Sequence, residues 1–241
     1  MYRNTFLSVM FLACCFNGSL CAQSDAQIYE RTCDAKTYPF SDPSPVATPN
    51  NSYYPYFRFD GFSMQAQEKQ WKMVVLENDY VKLTVTPEIG GKIWGAIDKV
   101  NNKEFVYTNG VVKFRDVAMR GPWTSGGIEF NFGIIGHAPT CSTPIDYLTK
   151  KNVDGSVSCH IFSYEWITRT VWNVEINLPK DKAYFTTHTT WFNQSSIDQP
   201  YYQWMNAGYA TKTGTRFYYP GTYSIGHSGD LHPYPIDEEG R

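Results

Sequence analysis

The chain has 241 residues, a formal net charge of −2 from 21 basic and 23 acidic side chains, and 17% aromatic residues, among them 18 Tyr and 7 Trp. Near-neutral charge without a Lys/Arg block excludes an electrostatic footprint for nucleic-acid backbones. The aromatic excess suits a strand-built core and, where exposed, a surface for flat amphipathic ligands such as sugar rings.

Met1-Tyr2-Arg3-Asn4 precedes an apolar run from Phe6 to Phe16 and then the small residues around Gly18, Ser19 and Ala22. That run is too short to span a bilayer, so residues 1–22 are predicted to be a signal peptide and the mature protein secreted or periplasmic. Leu12-Ala13-Cys14-Cys15 is similar to a lipoprotein cleavage site, which makes lipid anchoring the lesser alternative. No later stretch is long and apolar enough to be read as a membrane span. Loss of the leader removes Cys14, Cys15 and Cys21 and leaves Cys33, Cys141 and Cys159, an odd set that permits one intrachain disulfide at most. None of them has Cys-x-x-Cys or His-Glu-x-x-His spacing, and neither a metal nor another cofactor is expected.

Residues 23–64 are rich in Pro, Ser, Tyr and Asn and read as a strap leading into the fold, with one strand near Tyr56 to Phe59. Pro39, Pro43, Pro45 and Pro49 forbid a helix there. Residues 65–241 are predicted to form one all-β domain. Val81, Leu83 and Val85 alternate with Lys82, Thr84 and Thr86, and Pro87-Glu88-Ile89-Gly90-Gly91 turns the chain into a second strand from Lys92 to Ile97. Further strands are expected over 104–107, 128–132, 156–165, 168–178, 183–193 and 201–211, with a hairpin across Pro179-Lys180-Asp181-Lys182. Repeated short strands separated by polar turns predict a sandwich or a barrel.

The densest chemistry lies in Arg120 to His137, RGPWTSGGIEFNFGIIGH. Alternation along a strand puts Glu129 and Asn131 on one face and Ile128, Phe130 and Phe132 on the other. Trp123 offers a stacking surface, Asn131 donates and accepts hydrogen bonds, His137 carries or takes up a proton, and Arg120 presents a forked donor. These groups suit a polyhydroxylated ligand. Glu129 and His137 are the candidate catalytic residues, with an apolar shell from Trp123, Phe130 and Phe132 expected to raise the carboxyl toward the range of a general acid. Arg120, Trp123, Asn131, His188 and Trp204 are the candidate substrate-binding residues. Against this stands the plainer reading, in which Glu129 is an ordinary ion-paired strand carboxylate and Trp204 is core.

VLENDYVKLTVTPEIGGKIWGAIDKVNNKEFVY, Val75 to Tyr107, resembles the opening of a galactose-mutarotase-like domain, and QPYYQWMNAGY, Gln199 to Tyr209, resembles the central strand of that superfamily. With the Arg120 to His137 motif, the resemblance points to a secreted family of unknown function within it, whose members often carry tetratricopeptide repeats downstream. The resemblance implies a β-supersandwich and a carbohydrate ligand. Epimerases of the superfamily use a His in the central strand region, where this chain has Trp204-Met205-Asn206-Ala207, so plain aldose epimerase activity is not expected. The resembling domains also continue with more strands, which implies a sandwich incomplete at its C-terminus, with open strand edges and a tendency to aggregate.

Two functions follow as expectations. The first is a glycoside hydrolase or related enzyme acting at an anomeric centre, which needs a second carboxylate that no motif supplies. The second is a carbohydrate-binding module that uses the same residues without catalysis. The partner in both is an oligosaccharide or polysaccharide.

Overall fold

The computed structural model describes residues 24–40, 61–116, 122–133, 137–165, 168–200, 202–226, 228–236 and 239–240. The predicted signal peptide, the strand predicted near Tyr56 to Phe59 and Arg120 lie outside the described residues. In chain order the strands are β1 (Gln27–Tyr38), β2 (Gln67–Glu77), β3 (Val81–Thr86), β4 (Lys92–Asp98), β5 (Lys103–Val106), β6 (Val112–Lys113), β7 (Arg115–Asp116) and β8 (Pro122–Trp123). They continue with β9 (Ile128–Phe132), β10 (Asp146–Lys151), β11 (Val157–Glu165), β12 (Thr170–Leu178), β13 (Thr186–Asn193), β14 (Gln203–Ala207), β15 (Tyr223–Ile225) and β16 (Leu231–Pro233). Two short 3-10 helices, Pro87–Ile89 and Pro139–Ser142, are the helical turns among the described residues. The protein is all-β.

Among these residues an eight-stranded sheet runs β14-β9-β4-β3-β2-β1-β6, with β5 also paired to β4, and a four-stranded sheet runs β10-β11-β12-β13. Their inner faces share one core. Val74, Leu76, Leu83, Val85, Ile93, Phe130 and Phe132 of the first sheet meet Val157, Cys159, Ile161, Trp172, Val174 and Ile176 of the second. Strict alternation produces this: on β12 Thr170, Trp172, Val174, Ile176 and Leu178 are buried, while Val171, Asn173, Glu175 and Asn177 face outward half-buried. Phe132 stacks on Trp172 with ring centroids 4.5 Å apart and 10° between planes, and Trp191 meets Phe132 edge-on at 5.7 Å. A smaller cluster of Trp71, Met73, Ile89, Trp94, Val112 and Phe114 lies apart from this core.

Asn78 ties the sheets together. Its side-chain amide donates to the carbonyls of Pro179 (2.7 Å) and Lys182 (2.8 Å) in the β12–β13 turn, and its Oδ1 accepts from the backbone N–H of Tyr80 (2.8 Å) and Val81 (2.7 Å). One buried amide thereby closes the β2–β3 turn and the hairpin predicted at Pro179 to Lys182.

The structure describes part of the residue 23–64 strap. It contains β1, which pairs antiparallel with β2 from Gln27↔Glu77 to Thr37↔Gln67 and parallel with β6 at Thr37↔Val112. β1 is largely exposed, so it carries little apolar patterning and is held by its backbone ladder. The chain divides into two compact units, Met1–Gly208 and Tyr209–Arg241. The second unit contains the hairpin of β15 and β16. Cys33, Cys141 and Cys159 are all free thiols.

Asn78→Ala strands two carbonyls and two N–H groups at once and is expected to lower the unfolding free energy by about 2–3 kcal/mol. Leu148→Ala, on the exposed side of edge strand β10, should change it by no more than about 0.5 kcal/mol. Urea denaturation of the two variants checks both values.

Candidate functional site

The turn before β9 places the site. Gly127 has φ of +67°, and a Cβ on it would lie 2.3 Å from the Ile93 carbonyl oxygen, so only glycine lets this turn press against β4. β9 then alternates as predicted. Ile128, Phe130 and Phe132 enter the core, and Glu129 and Asn131 project from the opposite face of the eight-stranded sheet. On that face β9 lies between β4, which supplies Lys92, and β14, whose Asn206 and Trp204 pair in register with Glu129 and Asn131.

Glu129 is 3% exposed and its carboxylate accepts four hydrogen bonds. Oε1 accepts from Nδ2 of Asn131 (3.1 Å), Nδ2 of Asn206 (3.0 Å) and Nδ1 of His137 (2.7 Å). Oε2 accepts from Nε1 of Trp123 (2.7 Å) and lies 3.8 Å from Nζ of Lys92. Lys92 is 1% exposed and also donates to the carbonyl and the hydroxyl of Thr124. Burial pushes the Glu129 carboxyl up, but the His137 hydrogen bond, the Lys92 charge and the Asn131 hydrogen bond outweigh it, and the group is held below the usual glutamate range. This corrects the expected rise toward a general acid. Phe130 and Phe132, invoked for that rise, face the other side of the sheet. Burial lowers Lys92, with the Glu129 charge opposing. Beside the pair, burial pushes the Cys141 thiol up to about 12.

His137 is held by this carboxylate. Its ring meets Trp123 edge-on at 5.8 Å and Trp204 at 4.8 Å, and the next residue, Ala138, donates its backbone N–H to Oδ1 of Asn131 at 2.9 Å. An ionised carboxylate only accepts hydrogen bonds, so the shared proton sits on Nδ1 of His137. Nε2 makes no hydrogen bond to any described residue, and the side chain is 18% exposed. The cluster therefore turns one imidazole nitrogen outward between two indoles, backed by a buried anion. That arrangement fixes a tautomer and the orientation of the ring.

The structure brings Glu129, Asn131, His137, Trp123 and Trp204 together. It does not bring His188 to them: His188 pairs in register with Glu175 on the outer face of the four-stranded sheet and is exposed. Alternation in β13 put it on a definite face, and that face points away from the core. Lys92, Thr124 and Asn206 were missed. A lysine opening the apolar run Lys92-Ile93-Trp94 was the available signal, whereas Asn206 reaches Glu129 only through strand register. Glu88, in the turn before β4, accepts the backbone N–H of Lys72. Among the described residues no group of three or more His, Cys, Asp and Glu side chains could hold a metal ion, and no described helix is long and apolar enough to cross a membrane.

Lys92→Met leaves a buried carboxylate without its cation and is expected to cost about 3–5 kcal/mol, most of it recovered in Lys92→Met/Glu129→Gln. Glu129 is lowered in the folded state, so the unfolded chain takes up this proton first as pH falls. Its stabilisation is full above the ordinary glutamate range and drains as pH drops through the folded value. Urea midpoints measured from neutral to acidic pH should fall less steeply in Glu129→Gln than in the parent chain.

A crystal structure of a TPR-domain containing protein from Parabacteroides distasonis ATCC 8503 matches this chain with a TM-score of 0.70 and 26% identity, over 77% of this chain and 32% of the other. This chain thus spans about a third of that protein's length. A family model described as Domain of unknown function (DUF5107) matches residues 48–241, most of the sequence, and the chain belongs to that family.

Proposed function

We propose that this domain is a secreted, galactose-mutarotase-like module that holds a saccharide against Trp123 and Trp204 and acts at its anomeric centre through His137. The observation that carries this reading is the Glu129–His137 contact of 2.7 Å with Nε2 left outward between the indoles. Indole walls receive the apolar face of a sugar ring, and the outward nitrogen is the group able to exchange a proton with a hydroxyl or a ring oxygen. In this reading His137 is the catalytic residue and Glu129 a positioning residue. Mutarotase-like epimerases draw their His from the central strand, which Gln199 to Tyr209 resembles, and here the loop after β9 brings a His against Trp204. The β-sandwich, the resemblance of Val75 to Tyr107 and the glycan-suited side chains support the assignment together.

A binding module without turnover is the second reading, and one observation favours it. Glu129 is buried and already accepts four hydrogen bonds, and glycoside hydrolysis needs a carboxylic acid and a second carboxylate that the cluster of Lys92, Trp123, Asn131, His137 and Asn206 does not supply. The protein should bind members of a glycan array, with Trp204→Ala weakening binding about tenfold. If it acts on them, His137→Ala should lower turnover about a hundredfold or more while leaving binding within a few-fold. Binding with no product or anomeric exchange in the parent chain would select the binding module. Absence of binding to any glycan would overturn both readings.

A further inference from the structure

A groove of about 400 Å³ lies on the strands β1–β4, on the sheet face opposite the shared core, and none of the residues described above at the Glu129 site lines it. β4 makes it. Its register with β3 steps from Val85↔Ile93 to Thr84↔Gly95, leaving Trp94 as the extra residue of a bulge, so Trp94 and Gly95 both face the groove. Met73, Trp94 and Ile97 give an apolar floor, and Thr84, Thr108 and Asn109 supply hydroxyls and an amide. A Cβ on Gly95 would lie 2.0 Å from Oγ1 of Thr108, so the missing side chain lets that hydroxyl lie directly over the strand. The lining includes two basic residues, Arg31 and Lys82, and two acidic ones, Asp34 and Glu104. Arg31 is exposed, and its side chain makes no hydrogen bond or ion pair with any described residue.

The groove and the Glu129 site share a wall. Asn109 donates its amide to Oγ of Ser125 at 2.8 Å, and the carbonyl of Tyr107 accepts from Gly127 N–H at 2.8 Å. The segment that closes one end of the groove thus braces the turn from which Glu129 projects, and Lys92 and Trp94 stand two residues apart on the same face of β4.

We propose that this groove is a second binding site, which takes the neutral sugar units extending from a saccharide held at Trp123 and Trp204. The proposal rests on the function proposed above. An apolar floor ringed by donors and acceptors in balanced charge suits uncharged polyhydroxylated rings, while a polyanion would meet Asp34 and Glu104 as well as Arg31.

Cys33 lines the groove and is half-buried, whereas Cys141 and Cys159 are buried and burial pushes each thiol up to about 12. Alkylation of Cys33 by iodoacetamide, read on its own peptide by mass spectrometry, therefore reports groove occupancy without any need for turnover. The probes are cellohexaose, mannohexaose and maltohexaose with their monosaccharides, together with any glycan retained in the array experiment. A bound oligosaccharide at about ten times its Kd should slow Cys33 alkylation about tenfold, and the bound monosaccharide should leave it unchanged. Arg31→Ala and Thr108→Ala should weaken oligosaccharide binding about tenfold and monosaccharide binding not at all. An oligosaccharide that quenches tryptophan fluorescence yet leaves Cys33 equally reactive, or variants that weaken both ligands alike, would overturn the groove and leave the Glu129 site standing. Failure of every glycan to bind would overturn both.

Discussion

A buried anion on the outward face of a β-sheet governs this structure's chemistry. Glu129 has given up water on a surface that strand alternation turns away from the core, and it does so because Lys92, Trp123, Asn131, His137 and Asn206 supply donors from five directions. Each donor comes from a different local context: the start of β4, the short strand β8, β9 itself, the loop after β9, and β14. The carboxylate therefore fixes the relative positions of three neighbouring strands of the sheet, the short strand β8 and one loop. Taking a charge out of water costs several kcal/mol in a protein, and the arrangement persists because nearly every lone pair is met.

The anion separates stability from chemistry. The shared hydrophobic core beneath the sheet draws on Phe130 and Phe132, and the site on Glu129 and Asn131, so one five-residue strand serves both through its two faces. Rigidity follows, because moving Glu129 would drag the stacked pair Phe132 and Trp172. The imidazole of His137 and the indoles of Trp123 and Trp204 form the half-buried edge of the cluster. Trp94 gains its place by a different device, a bulge that turns two consecutive residues to one side.

Much of this was legible in the residues because it depends on period two. The alternation of β3 and β9 put Leu83 on one face of its strand and separated Phe130 from Glu129, and the turns at Gly90-Gly91 and Pro179 to Lys182 followed from their composition. β1 was hidden because its sequence, QIYERTCDAKTY, is polar and its partner lies far along the chain, so the ladder that holds it leaves no local mark. The raised carboxyl expected for Glu129 failed for a related reason: residues adjacent in a strand are on opposite faces, and Phe130 and Phe132 never shield it. Lys92 and Asn206 join the site through register between strands, which no local pattern encodes. His188 showed the converse error, since alternation assigns a face without saying what that face looks upon.

The direct test is the protonation state of the His137 ring in the folded chain. With a carboxylate held against Nδ1, nitrogen-15 spectra recorded where the imidazole is neutral should show the proton on Nδ1 and a bare Nε2. A proton on Nε2 instead would mean that Glu129 does not orient this ring, and the outward nitrogen would lose the role given to it here.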